Sequence, residues 1–94
     1  MNKKLYITMK ETESGSTWIF EYYITKSKKG SVTYTGIMIT SRSQGKYYEN
    51  SISGIFPYTH DAERLLDFLY KNEATPISMP YLALEFIENN YLSY

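Results

Sequence analysis

The spacing of apolar residues changes at Pro57, and that change limits what the chain can fold into. Upstream, apolar and polar residues alternate, as they do in half-buried strands. In "KLYITMKE", Leu5, Ile7 and Met9 fall on one face and Tyr6, Thr8 and Lys10 on the other. In "TWIFEYYITKS", Trp18, Phe20, Tyr22 and Ile24 oppose Ile19, Glu21, Tyr23 and Thr25. "SVTYTGIMITSR" reads as a third strand, and "KYYENSISGIF" as a weaker fourth with Tyr48, Ile52 and Phe56 in phase. Gly36, inside the third, marks a bulge or a close backbone approach. The segments "ETESGS" and "SQG" read as turns and "KSKKGS" as a charged loop. Short connections between consecutive strands imply an antiparallel meander. "WIFEYYI" would invite aggregation at a sheet edge, so it is expected in the centre.

Downstream the period becomes helical. Ala62, Leu65, Leu66 and Leu69 lie at i, i+3, i+4 and i+7, with Thr59 read as the N-cap and Asp61 and Glu63 in the first turn. Met79, Leu82, Ala83, Phe86 and Ile87 form a second stripe, with Ser78 read as its N-cap and Pro80 within its first turn. Between the stripes, "KNEATPISMP" contains a Thr-Pro step. Pro76 disfavours a helical Thr75, so the first helix must end near Asn72. Two amphipathic helices joined so tightly fold back as a hairpin, and each needs a packing surface to be stable. The expected fold is therefore α+β: a four-stranded antiparallel meander followed by a two-helix hairpin packed on one face, in the order ββββαα. Residues 1–94 are expected to make one domain, with 1–56 as sheet and 57–94 as hairpin.

Composition restricts function more than it reveals it. The 94 residues contain no cysteine, which excludes disulfides, thiolate metal sites and a cysteine nucleophile. It also favours a reducing compartment. "MNKKLYITMKETES" has no apolar core of the kind a signal peptide needs, and no run approaches the ~20 apolar residues of a membrane span. A cytoplasmic protein without membrane contact is expected. The formal net charge is zero but unevenly placed: residues 1–56 carry eight basic and four acidic side chains, and residues 57–94 two basic and six acidic.

Catalytic patterns are sparse. His60 is the single histidine, next to Asp61 at a helix start, and reads as an exposed first-turn residue. Neither a metal-ligand cluster nor a glycine-rich phosphate cradle is present in the sequence, so no cofactor and no enzymatic activity are expected.

Eleven tyrosines are the compositional anomaly. Tyrosine offers stiff contact area with a polar tip, suited to surfaces that are wet alone and buried in a complex. If Leu5, Trp18 and Phe20 face the helices, Tyr6 and Tyr23 face outward. Tyr6, Tyr23, Tyr34 and Tyr47, with Lys28 and Lys29, are the candidate partner-binding residues. Four strands ~4.8 Å apart and ~20 Å long would present roughly 400 Å². The function expected is a non-enzymatic protein-binding module docking through this face or the hairpin, with a protein partner or a second copy. One concrete version is an inhibitor of a host immune complex carried by a phage or mobile element. The alternative is a single-stranded nucleic-acid binder stacking bases on the tyrosines beside Lys26, Lys28 and Lys29. Zero net charge and the absence of an RRM-like strand–helix order count against it.

Ser53 to Leu92 resembles the C-terminal half of an uncharacterised family of small bacterial proteins, a domain of unknown function found mainly in Gram-positive anaerobes. The resemblance rests on an Asn-x-x-[ST]-Pro-[VI] turn, here Asn72, Thr75, Pro76 and Ile77, and on the run Glu85-Phe86-Ile87. It implies strands followed by a helical hairpin. It implies no catalytic residues.

Overall fold

In the computed structural model, which describes residues 2–91, four strands precede two helices. They are β1 (Asn2–Glu11), β2 (Thr17–Lys29), β3 (Val32–Ser43) and β4 (Lys46–Phe56), then α1 (Thr59–Lys71) and α2 (Met79–Tyr91). The strands form one antiparallel sheet in chain order, so "WIFEYYI" is central, as expected. The ββββαα arrangement is the one the periodicity indicates.

Turn chemistry fixes the register. Gln44 and Gly45, with φ of 46° and 80°, supply the left-handed pair of the tight β3–β4 hairpin. The "KSKKGS" stretch is not the loop it was read as: β2 continues to Lys29, and a turn of two residues, Gly30 and Ser31, connects it to β3. Lysines can extend a two-stranded ribbon because their charged ends stay in water while the backbone pairs.

Two irregularities shape the sheet. In β1, Lys4 pairs with Tyr23 but Tyr6 pairs with Tyr22, so Leu5 is an extra residue. In β4, Thr35 opposes Phe56 and Ile37 opposes Ile52, leaving Ser53, Gly54 and Ile55 bulged opposite Gly36. A Cβ on Gly36 would lie 2.1 Å from the Ile52 carbonyl oxygen, so this crossing requires glycine.

The core lies between the sheet and the hairpin. Tyr22, Ile24, Ile37 and Ile39 meet Ala62, Leu65, Leu66 and Leu69 of α1 and Met79, Ala83 and Phe86 of α2. α1 lies across β2, β3 and β4, while α2 packs chiefly against α1. The Phe68 and Phe86 rings meet at 5.2 Å, and Phe56 and Tyr91 at 5.8 Å.

Thr59 is the first residue of α1 and not its cap, whereas Ser78 directly precedes α2 as expected but turns its hydroxyl back to Thr75. α1 begins at Thr59, after an extended Tyr58 that makes no side-chain cap. The Thr35 hydroxyl instead holds this junction, bonding the Phe56 and Tyr58 carbonyls at 3.1 Å each. Ahead of α2, the capping box is formed three residues earlier than Ser78. Thr75 Oγ1 accepts from the Ser78 N–H (3.1 Å), and Ser78 Oγ accepts from the Thr75 N–H (2.9 Å). Pro76 then occupies the first position of the turn, where its fixed φ is favourable. Pro80 has no N–H to donate back to the Pro76 carbonyl, and that carbonyl accepts from Asn50 Nδ2 of β4 at 3.1 Å.

α1 ends near Asn72, as Pro76 requires. Glu73 takes φ 52°, its N–H bonds the Tyr70 carbonyl, and the Ala74 N–H bonds the Leu69 carbonyl. This is a Schellman motif with glutamate where glycine is usual.

Candidate protein-binding surface

The helices cover one face of the sheet and leave the other open. Register assigns the open face to Lys4, Ile7 and Met9 of β1, Ile19, Glu21 and Tyr23 of β2, Met38, Thr40 and Arg42 of β3, and Tyr47 and Glu49 of β4. With strands of 10 to 13 residues, this face covers roughly 700 Å², close to one partner's share of a standard interface.

Its margins are apolar and exposed: Ile7 is 52% accessible, Met9 68% and Tyr47 56%. Its centre is an ion cluster. Glu21 retains only 6% of its accessible surface, beneath its neighbours on β1 and β3. Lys4 Nζ donates to its carboxylate at 2.6 Å, and an Arg42 guanidinium nitrogen lies 3.7 Å away. The Lys4 hydrogen bond holds the Glu21 carboxyl below the usual glutamate range, overcoming the opposing effect of burial. The same bond raises the Lys4 ammonium. Burial raises the Tyr47 hydroxyl, and the charge of Glu49 adds to the effect. The pairing neutralises a carboxylate within a face that is otherwise largely apolar.

Three of the six candidate residues belong to the body of the sheet, and Tyr6 is the correction. Tyr23 and Tyr47 lie on the open face. Tyr6 faces the helices: its ring stacks on Tyr70 at 4.3 Å and 10°, and its hydroxyl donates to Asp67 at 3.2 Å. Tyr22 meets Tyr70 edge-on at 5.6 Å. The extra residue Leu5 inverts the alternation, so Tyr6 turns inward and Ile7 and Met9 turn outward, the reverse of the expected arrangement. Tyr34 is half-buried near the β2–β3 tip, with the Lys29 ammonium 6.0 Å from its ring centre. Lys28 and Lys29 are exposed on that ribbon, away from the ion cluster.

Ile7 and Met9 are the functional candidates that alternation missed. A signal did exist: "LY" places two large apolar residues side by side in an alternating strand, as a bulge does. His60 is exposed in the first turn of α1, and its neighbour Asp61 accepts a 2.7 Å hydrogen bond from Tyr91. Among the described residues, no group of three or more His, Cys, Asp or Glu side chains converges as a metal site would need. No described helix is long and apolar enough to cross a membrane.

Over residues 1–89 the chain matches a family of unknown function, DUF6514. The chain belongs to this family. The match spans the strands as well as the hairpin, so the kinship reaches beyond the C-terminal half from which the resemblance was read. No curated protein and no solved structure matches the chain.

Proposed function

We propose that this DUF6514 member is a non-enzymatic cytoplasmic module that binds a protein partner through the open face of its sheet. The observation that carries the reading is the group of exposed apolar side chains, Ile7, Met9 and Tyr47, beside a charge-paired Glu21. Exposed apolar area marks a candidate docking surface, and pairing the central carboxylate lowers the cost of covering it. The cysteine-free composition supports the compartment. An inhibitor of a host complex is one form such a module takes, and its support is small size and interface-type composition.

The nucleic-acid alternative has less support. Lys28 and Lys29 accompany one half-buried tyrosine at the ribbon tip, and the open face balances Lys4 and Arg42 against Glu21 and Glu49. A strand-tracking site needs a continuous basic groove.

The test is a pull-down from source-organism lysate with and without nuclease, comparing the native chain with a Met9→Ser/Tyr47→Ser variant. A stoichiometric protein that survives nuclease and is lost with the variant supports the reading. Retention of every partner by the variant overturns it, and loss of all partners to nuclease transfers the assignment to nucleic acid.

A further inference from the structure

α2 is apolar on two sides. Met79, Ala83 and Phe86 are buried in the core, yet Tyr81 is 76% accessible, Leu84 55%, and Ile77, in the turn just before the helix, 80%. Tyr81 and Leu84 lie at i and i+3 on the helix, and with Ile77 just ahead of them they form an outward ridge that the core does not use. At its N-terminal end the ridge borders a groove of about 350 Å³ lined by Trp18, Phe20, Tyr48, Pro76 and Ile77. Trp18 and Tyr48 stack there at 6.1 Å, on the part of the helix-side sheet face that the hairpin leaves uncovered.

We propose that a second copy of this chain docks here, the two α2 helices packing antiparallel about Tyr81. The ridge is nearly palindromic about its middle residue. Ile77 precedes Tyr81 by four residues, just ahead of the helix, and Leu84 follows it by three. A two-fold therefore sets Tyr81 against Tyr81 of the other copy, and each Leu84 against the other Ile77 at the mouth of the groove. Such an isologous contact closes at two copies.

Charge complementarity favours the antiparallel sense. α2 has no acidic residue in its first turn and no basic residue in its last, and its charges are Glu85 and Glu88. Antiparallel packing carries those carboxylates toward the other copy's α2 N-terminus, where the helix dipole is positive. Parallel packing would set the carboxylates against each other. Three ridge side chains and one groove fall short of the roughly 800 Å² per partner of a standard interface, so the dimer is a weak, micromolar one. The contact is independent of the open sheet face and leaves that face free.

Sedimentation equilibrium from about 1 μM to 1 mM tests the proposal. The mass of the native chain should climb from 11.0 kDa toward twice that value. Tyr81→Ser/Leu84→Ser should remain monomeric, and Ile7→Ser/Met9→Ser should follow the native curve, all with unchanged circular dichroism. Because the chain lacks cysteine, a mixture of Ile77→Cys and Leu84→Cys chains should cross-link on oxidation when neither does alone. A native chain that stays monomeric throughout overturns the proposal. So does a dimer unaffected by the α2 double variant, one dissolved by the sheet-face variant, or cross-linking by each cysteine chain alone but not by the mixture.

Discussion

The Tyr22 hydroxyl donates a 2.8 Å hydrogen bond to the Ala74 carbonyl, fastening the central strand β2 to the connection between the helices. Both residues are buried, so neither group has water as a substitute. Burial, reinforced by Glu73 and Tyr70, pushes the Tyr22 hydroxyl up to about 12.

Tyr22→Phe should therefore destabilise the fold by about 1–3 kcal/mol at neutral pH, the cost of leaving a buried carbonyl unpaired. The pH dependence has a definite sign. A folded-state pKa above the unfolded value of 10.0 stabilises fully below pH 10 and loses that contribution as pH rises toward 12. Urea midpoints across that window should fall less steeply for Tyr22→Phe than for the native chain. Parallel slopes would contradict this account.

Glu21 titrates at the other extreme. Its carboxyl is held low in the folded chain, so its stabilising contribution is present above the ordinary glutamate value of 4.5 and disappears as pH falls through the folded-state value. Glu21→Gln should be less stable than the native chain at pH 7 and less sensitive to acid. If the two denaturation curves shift together below pH 4.5, the Lys4 pairing is not what holds the open face.

Glu73→Gly should stabilise. The residue holds φ 52°, which glycine adopts without a Cβ penalty, so the gain is about 0.5–1 kcal/mol. The exposed Lys10–Glu73 pair lost with it contributes less. Lys10→Ala in parallel isolates that pair, and a fall in the urea midpoint of Glu73→Gly larger than that of Lys10→Ala would refute the Schellman argument.

Gly36→Ala should be among the most damaging single-methyl changes in the chain. The added carbon meets β4 backbone at Ile52 and Ser53 as well as the Thr25 hydroxyl, so β3 and β4 must separate at the bulge. A loss of about 2 kcal/mol or more is expected. Gly15→Ala is a useful contrast: it has no atom within 4 Å, and its cost comes from positive φ alone.

The periodicity carried the architecture because strands and helices bury their apolar residues at different spacings, and the stripes Ala62–Leu65–Leu66–Leu69 and Met79–Ala83–Phe86 are buried as read. Thr75 and Pro76 likewise placed the hairpin bend. The caps were less legible, since Thr59 and Thr75 both carry a hydroxyl suited to capping and only the fold decides which one is used. Tyrosine abundance was ambiguous for the same reason. Tyr6, Tyr22 and Tyr70 spend their rings on one another at the sheet–helix interface, whereas Tyr23 and Tyr47 remain on the open face. Composition counts both kinds alike. The exposed side of α2 was also hidden, because the stripe that docks on α1 already accounts for a helix in the sequence.

The extra residue at Leu5 decides which side of β1 faces outward. Deleting that one residue, with the rest of β1 kept in register from Tyr6 onward, would leave the open face as it is and cost only the bulge. Were Leu5 instead kept and paired with Tyr22, the strand beyond it would slip by one residue, carrying Tyr6, Thr8 and Lys10 to the outside and drawing Ile7 and Met9 inward. One step of register thus separates an aliphatic open surface from a polar, basic one on the same scaffold. The bulge therefore keeps Tyr6 on Tyr70 and leaves the pair Ile7 and Met9 in the open.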